Sequence, residues 1–169
     1  MCKKDFQFFF EQILEFQLAG HHKRWFENLT THKRYCVKAA RDHGKSTLFL
    51  AYVLWKVIFN KKTDAMIFSH SLHQSIAHMR TLNDLIDGVP MFRELKAHDS
   101  WSKTFFGFKN GSRISAKSVG GAVRGAHPDL ILCDDILWGT TDTELSRVAS
   151  WFYEVLTPTL HHTAQLCIV

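Results

Sequence analysis

A chain of 169 residues is about one domain long. Its 46% hydrophobic and 22% charged residues describe an ordinary globule, which excludes disorder and collagen-like repeats. No apolar run approaches the roughly 20 residues that span a bilayer, and the longest, Leu48 to Phe59, carries Lys56. The basic start, Lys3 and Lys4, leads to no small-residue cleavage site, so a cytosolic protein without a membrane partner is expected. The net charge of +5 is unevenly spread. Residues 1–62 hold 12 Lys/Arg against 5 Asp/Glu, residues 63–128 hold 8 against 5, and residues 129–169 hold 1 against 6. A basic front and an acidic back suit a polyanion partner and a metal-holding cluster, and serve equally as solvated surface.

Phe6, Phe9, Phe10, Ile13 and Leu14 fall at helical spacing, predicting an amphipathic helix over about residues 4–19 that Gly20 ends. His21 to Arg34, with Trp25, Phe26 and Leu29, predicts a second short helix. Tyr35 to Ala40 reads as a buried strand, and Lys45 to Phe59 as a helix apolar nearly all round, hence covered by neighbours. Ala65 to His70 is a second strand, followed by a helix with Leu72, Ile76, Met79, Leu82 and Ile86 on one face. Thr104 to Phe108 and Arg113 to Lys117 flank Asn110-Gly111, a pair favoured in two-residue hairpin turns. Leu130 to Cys133 is a short apolar strand. Leu145, Val148, Ala149, Phe152, Val155 and Leu156 mark a last helix, and Gln165 to Val169 a final strand. Strand and helix alternate, so the fold expected is α/β with a mostly parallel sheet. Cys2, Cys36, Cys133 and Cys167 lie too far apart for a zinc site or a disulfide framework, and the His21-His22 and His161-His162 pairs are poor metal spacings.

The segment Ala39 to Thr47 (AARDHGKST) lies between a predicted strand and a predicted helix. Gly44, Lys45 and Ser46 fill the last three positions of the phosphate-loop pattern G-x-x-x-x-G-K-[ST], with Ala39 where the first glycine usually stands. Backbone N–H groups at a helix N-terminus wrap phosphates. Ala40, Arg41, Asp42, His43, Gly44, Lys45, Ser46 and Thr47 are therefore the candidate set for ATP. Lys45 would reach the β and γ phosphates, and the Ser46 hydroxyl would meet Mg²⁺. A second carboxylate-bearing element is needed, and Leu130 to Asp135 (LILCDD) supplies it. Asp134 would hold the metal; Asp135 would orient or deprotonate the attacking water. Arg41, inside the loop, and Arg124, in the turn Gly120 to Gly125, are the candidates for stabilising γ-phosphate charge. Plainer readings stand beside these: a helix cap with an incidental lysine, a capping acidic pair, and surface salt bridges for the arginines.

The ordered set AARDHGKST and SVGGAVRGAHPDLILCDD resembles the N-terminal ATPase domain of the large terminase subunit of tailed bacteriophages, over about residues 20–169. The resemblance rests on Arg41, three places before the loop glycine, and on an Arg-Gly at Arg124 ten residues ahead of Asp134. It implies a three-layer P-loop NTPase of the additional-strand type, in which Gln165 to Val169 inserts between the acidic strand and the phosphate-loop strand. It further implies an ATP-hydrolysing, Mg²⁺-dependent motor that moves double-stranded DNA into a procapsid in the host cytoplasm. The partners implied are a portal protein and a small terminase subunit. Such a motor works as a homo-oligomeric ring, commonly a pentamer, although this chain alone is compatible with a monomer. Two departures are Ala39 for glycine and Asp135 where glutamate is more usual. The third is that the coupling segment expected just past Val169, and the nuclease domain beyond it, are not in the sequence. The whole chain, 1–169, is thus expected to be a single truncated ATPase domain with a helical lead-in at 1–34 and weak turnover.

In that family the segment ahead of the loop strand often meets the base, which points to Arg24, Trp25 and Phe26 as adenine contacts or, alternatively, as core. Lys23, Arg24, Lys33, Arg34, Lys61 and Lys62 are the candidate DNA-phosphate contacts, or a solvated face. Two further readings compete with the motor. One is another additional-strand ATPase, such as a helicase or transposition helper; the other is a nucleotide- or DNA-binding fragment without turnover. A two-metal nuclease on Asp129, Asp134, Asp135 and Asp142 fails, because one loop after one strand rarely builds such a site.

Overall fold

A computed structural model of the chain describes residues 5–123, 125–137 and 141–169. Seven strands form one sheet in the order β1-β7-β6-β2-β5-β4-β3. They are β1 (Arg34–Cys36), β2 (Asp64–Ser69), β3 (Lys96–Trp101), β4 (Phe105–Phe108), β5 (Arg113–Ser118), β6 (Leu130–Cys133) and β7 (Gln165–Ile168). The first five in that spatial order are mutually parallel, and β4 and β3 complete the sheet as an antiparallel hairpin edge. β7 lies between β1 and β6, the insertion expected of the additional-strand class.

Alternation along the strands sends side chains to two cores. Ala65, Ile67, Leu130, Leu132 and Cys167 face a larger core, beneath α3 (Lys45–Phe59) and α4 (Leu72–Gly88). Met66, Phe68, Ile131, Cys133 and Leu166 face a smaller core on the other side, with Trp151 and Leu156. The second layer comes from α6 (Asp142–Ser150) and the π-helical turn Trp151–Leu156 that continues it. Helices on both faces of the sheet make three layers. α3 is buried over Leu48 to Leu54 without a break, as its all-round apolar sequence requires.

The lead-in is shorter than its periodicity predicts. α1 (Phe6–Phe8) passes into a π-helical turn, Phe9–Ile13, and helical structure then stops. Phe6 is drawn into the core against Phe26 and Tyr52, their ring centroids 4.9 and 5.2 Å away. α2 (Gly20–Thr31) follows, and its last carbonyls are satisfied from β7: Gln165 donates to Leu29 O at 2.6 Å and His32 O at 3.0 Å. Tyr52 closes this network by donating to Gln165 Oε1 at 2.8 Å.

β1 covers only Arg34–Cys36, against the predicted Tyr35 to Ala40, because the chain leaves β7 after the Val37 N–H bond to Ile168 O. The hairpin forms, but four residues rather than two join β4 to β5. Asn110 explains the wider loop: its amide donates to Val57 O, Ile58 O and Asn60 O and so caps the end of α3. β3 and the short α5 (Pro90–Arg93) have no counterpart among the predicted elements. Lys96, His98, Asp99 and Ser100 are too polar to announce a strand. Trp101 stacks on Phe106 at 4.0 Å and holds that edge in place.

Candidate functional site

The carboxyl ends of the parallel strands open onto a cavity of about 860 Å³, the position where open α/β sheets hold ligands. Its wall contains Arg41 to Thr47 from the loop, together with Asp134 and Asp135 from the tip of β6. The two motifs, about 90 residues apart in sequence, therefore share one cavity. Insertion of β7 brings this about, since Ile168 and Val169 line the cavity between them.

The loop is built by backbone conformation. Asp42 and Gly44 are both in the left-handed region, at φ 63° and 68°. Gly44 is the N-cap of α3 and offers no side chain to cap it, so the first N–H groups of the helix remain available. A Cβ on Gly44 would also stand 3.1 Å from His22 Nε2. That ring arrives from α2, and its tautomer follows from its partners. Ala19 N–H donates to Nδ1 at 3.1 Å, so the proton sits on Nε2, which donates to His43 O at 2.7 Å. Carbonyl and N–H point opposite ways across a trans peptide. Fixing the His43 carbonyl toward α2 therefore turns the Gly44 N–H away from it. Lys45 Nζ is held over the loop by Ala39 O at 2.9 Å and Ala40 O at 2.6 Å, which is Ala40's place in the site. Arg41 is exposed beside the cavity; Lys45, Ser46 and Thr47 are half-buried.

Strand alternation explains the two carboxylates. Asp134 continues the face of Leu130 and Leu132, beneath α3 and α4, and is buried with 4% of its surface exposed. Its N–H donates to Phe68 O at 2.8 Å. Asp135 breaks the strand at φ 52° and is exposed in the cavity wall, its N–H bonded to Val169 O at 3.2 Å. A buried and an exposed carboxylate side by side can divide two tasks, holding a cation and handling water. Among the described residues no three His, Cys, Asp or Glu side chains cluster as a protein-only metal cage. A hard cation that shares its ligands with phosphate oxygens and water needs none, and Ser46 and Asp134 supply the oxygen donors such an ion takes.

Arg124 lies outside the described residues. Neither Arg24, Trp25 nor Phe26 lines the cavity. Phe26 stacks on Phe6 in the core and Trp25 packs edge-on against His21 and His22. Lys33, Lys61 and Lys62 come together, with Lys56, around a separate cavity of about 470 Å³ at the amino ends of the strands. Lys23 and Arg24 are exposed on α2 away from it, and Arg34 is spent on the Lys33 and Ala164 carbonyls. Sequence reading missed His22, Gln74 and His78. Gln74 lines the main cavity from α4, and His78 lies against Asp134. Nothing in their spacing announces these contacts, because they depend on which helix covers which strand end.

Residues 36–154 match the family model described as terminase large subunit, T4-like-virus type, N-terminal. The chain belongs to the large-terminase family. The terminase large subunit of enterobacteria phage T3 is 28% identical over 127 residues, covering 70% of this chain and 22% of that protein. The chain thus spans about a fifth of that relative's length. The large terminase of bacteriophage HK97 superposes with a TM-score of 0.67 at 16% identity, over 90% of this chain and 33% of the other. The large-terminase ATPase domain of Thermus phage P74-26 gives 0.71 at 16% identity, over 94% and 66%. At such identities the likeness is one of fold. Among the described residues of this terminase domain, no helix is long and apolar enough to cross a membrane.

Proposed function

We propose that this terminase domain binds Mg²⁺-ATP in the 860 Å³ cavity and hydrolyses it to drive double-stranded DNA into a procapsid. The observation that carries the reading is the convergence of loop and acidic tip on one cavity, with a bare helix N-terminus between them. The loop amides would cradle the phosphates, and Lys45 would exchange its two carbonyl partners for β and γ phosphate oxygens. Ser46 and Asp134 would hold Mg²⁺, which screens phosphate charge when bound. Asp135, exposed in the wall, would orient the attacking water and take its proton. Arg41, exposed on the same cavity, would meet charge developing on the γ phosphate, and Arg124 would do the same in this subunit or a neighbour.

The finer parts of the reading follow the family. The working form would be a ring, commonly a pentamer in that family, docked on a portal protein in the host cytoplasm and loaded by a small terminase subunit. DNA would be held by phosphate contacts, for which Lys33, Lys61 and Lys62 are the best-grouped candidates. Equilibrium binding of a fluorescent ATP analogue, followed by phosphate release, tests the proposal. Lys45→Ala should weaken binding at least tenfold with the melting temperature unchanged. Equal affinity in the folded variant would sink the nucleotide reading. Binding without any phosphate release in the parent chain would leave a nucleotide-binding module.

A further inference from the structure

α4 crosses the sheet on the face to which Asp134 points, and there it carries a histidine that the nucleotide site does not use. His78 Nε2 lies 3.0 Å from Asp134 Oδ2. Both residues are buried, with 5% and 4% of their surface exposed. A carboxylate only accepts, so the contact requires a proton on Nε2, and a neutral imidazole provides one. The line of approach falls short of a hydrogen bond, and Nε2 has no hydrogen-bond partner among the described residues, so the two groups meet as an N–H dipole against a carboxylate at contact distance. Moving the two apart would leave a buried N–H with no acceptor nearby, which is unfavourable, so ring and carboxylate restrain each other.

The helix that carries the ring is held independently of that contact. One turn earlier on α4, Ser75 Oγ donates to Lys117 O at 2.6 Å and pins the helix to β5. One residue later, Met79 is fully buried in the larger core, as is Leu82. His78 thus stands on a fixed helix, and Asp134, the first residue past β6 before the chain breaks away at Asp135, is the group that needs fixing.

We propose that His78 is a positioning residue for the acidic tip. It engages Oδ2 of Asp134, sets the rotamer of that side chain, and leaves Oδ1 for the cation. The imidazole itself is not a ligand, since Mg²⁺ takes oxygen donors. Groups that orient a metal-binding side chain typically change metal affinity 10–100-fold when removed. The proposal rests on the reading of Asp134 as the Mg²⁺ ligand, and the test separates the two.

Binding of N-methylanthraniloyl-ATP is measured on the chain, His78→Gln and His78→Leu, first in EDTA and then across a Mg²⁺ titration. His78→Gln keeps an N–H at similar reach, whereas His78→Leu keeps the bulk and loses the donor. Metal-free binding should be the same in all three. The Mg²⁺ midpoint should rise roughly 10–100-fold in His78→Leu and stay within about threefold of the parent in His78→Gln. An unchanged or lowered midpoint in His78→Leu overturns the role of His78. A parent chain whose nucleotide binding ignores Mg²⁺ overturns the reading beneath it. Should His78→Leu fail to melt cooperatively, His78→Asn, whose amide stops short of the carboxylate, replaces it with the same expectations.

Discussion

At the carboxyl ends of the parallel strands the backbone amides of a helix N-terminus join Lys38, Arg41 and Lys45 around the cavity; at the amino ends the groups suited to an anion are lysine side chains. One helix connects the two settings. The N-terminus of α3 opens on the larger cavity with Gly44 as its bare cap, while its C-terminal turn carries Lys56 into the smaller one beside Lys61 and Lys62. The helix dipole favours anions at the first end and cations at the second. Lysines near the C-terminus of α3 therefore have a structural reason to be there whether or not DNA ever meets them. Lys56 is also half-buried against Tyr52 and Trp55, and burial pulls its ammonium below the usual lysine range. An anion site made of backbone is pre-organised; one made of lysine stems must first order them.

The largest expected effect belongs to the pre-organised end. Asp135→Asn should lower phosphate release about 10²–10⁴-fold, the usual contribution of a general base, while nucleotide affinity holds. A variant that loses affinity and turnover in step would make Asp135 a binding group instead. Next in size, Gly44→Ala forces a Cβ into the left-handed region and toward His22. It should cost about 1–3 kcal/mol and weaken nucleotide binding. Comparing the pair with His22→Ala alone, in which the loop has already lost the ring's bond to His43 O, separates the crowding from the backbone cost.

The lysine end should respond more weakly. Lys61→Ala with Lys62→Ala should reduce duplex affinity a few-fold and flatten its salt dependence, by up to about 0.9 for each phosphate no longer neutralised. An unchanged salt slope in the folded variant would assign these lysines to the helix dipole alone. Smallest is a pair on neither cavity, Asp87 with Lys96 Nζ at 2.7 Å. The Lys96 bond holds the Asp87 carboxyl below its usual range. The pair's contribution is therefore present above about pH 4 and fades as pH falls through the depressed folded value. Half-exposed as it is, Asp87→Asn should cost under about 1 kcal/mol at neutral pH and progressively less as the solution is made more acid, by thermal melts across that range.

Much of the fold was legible in the sequence. α3 begins and ends on the residues that its uninterrupted apolar run predicts, and β6 covers the expected Leu130 to Cys133. In both, the middle of the element answers to one requirement only, burial on all sides. The failures lie where two requirements compete. Asn110 serves the end of α3 as well as its own turn, so the loop widens. The strand before the phosphate loop ends early because the loop geometry takes over after Val37.

What the sequence by itself determined is the chemistry on offer: a phosphate-loop string, two adjacent carboxylates after an apolar strand, and an α/β alternation to carry them. These are local patterns, set by side chains within a few residues of one another. The resemblance already implied that β7 stands between the loop strand and the acidic strand; tertiary structure alone decided that His22 would lock the loop from α2 and that His78 would stand against Asp134. Each of those contacts joins residues more than 20 apart in the chain. Its geometry follows from which strand neighbours which and which face a helix covers, and no local periodicity encodes that choice.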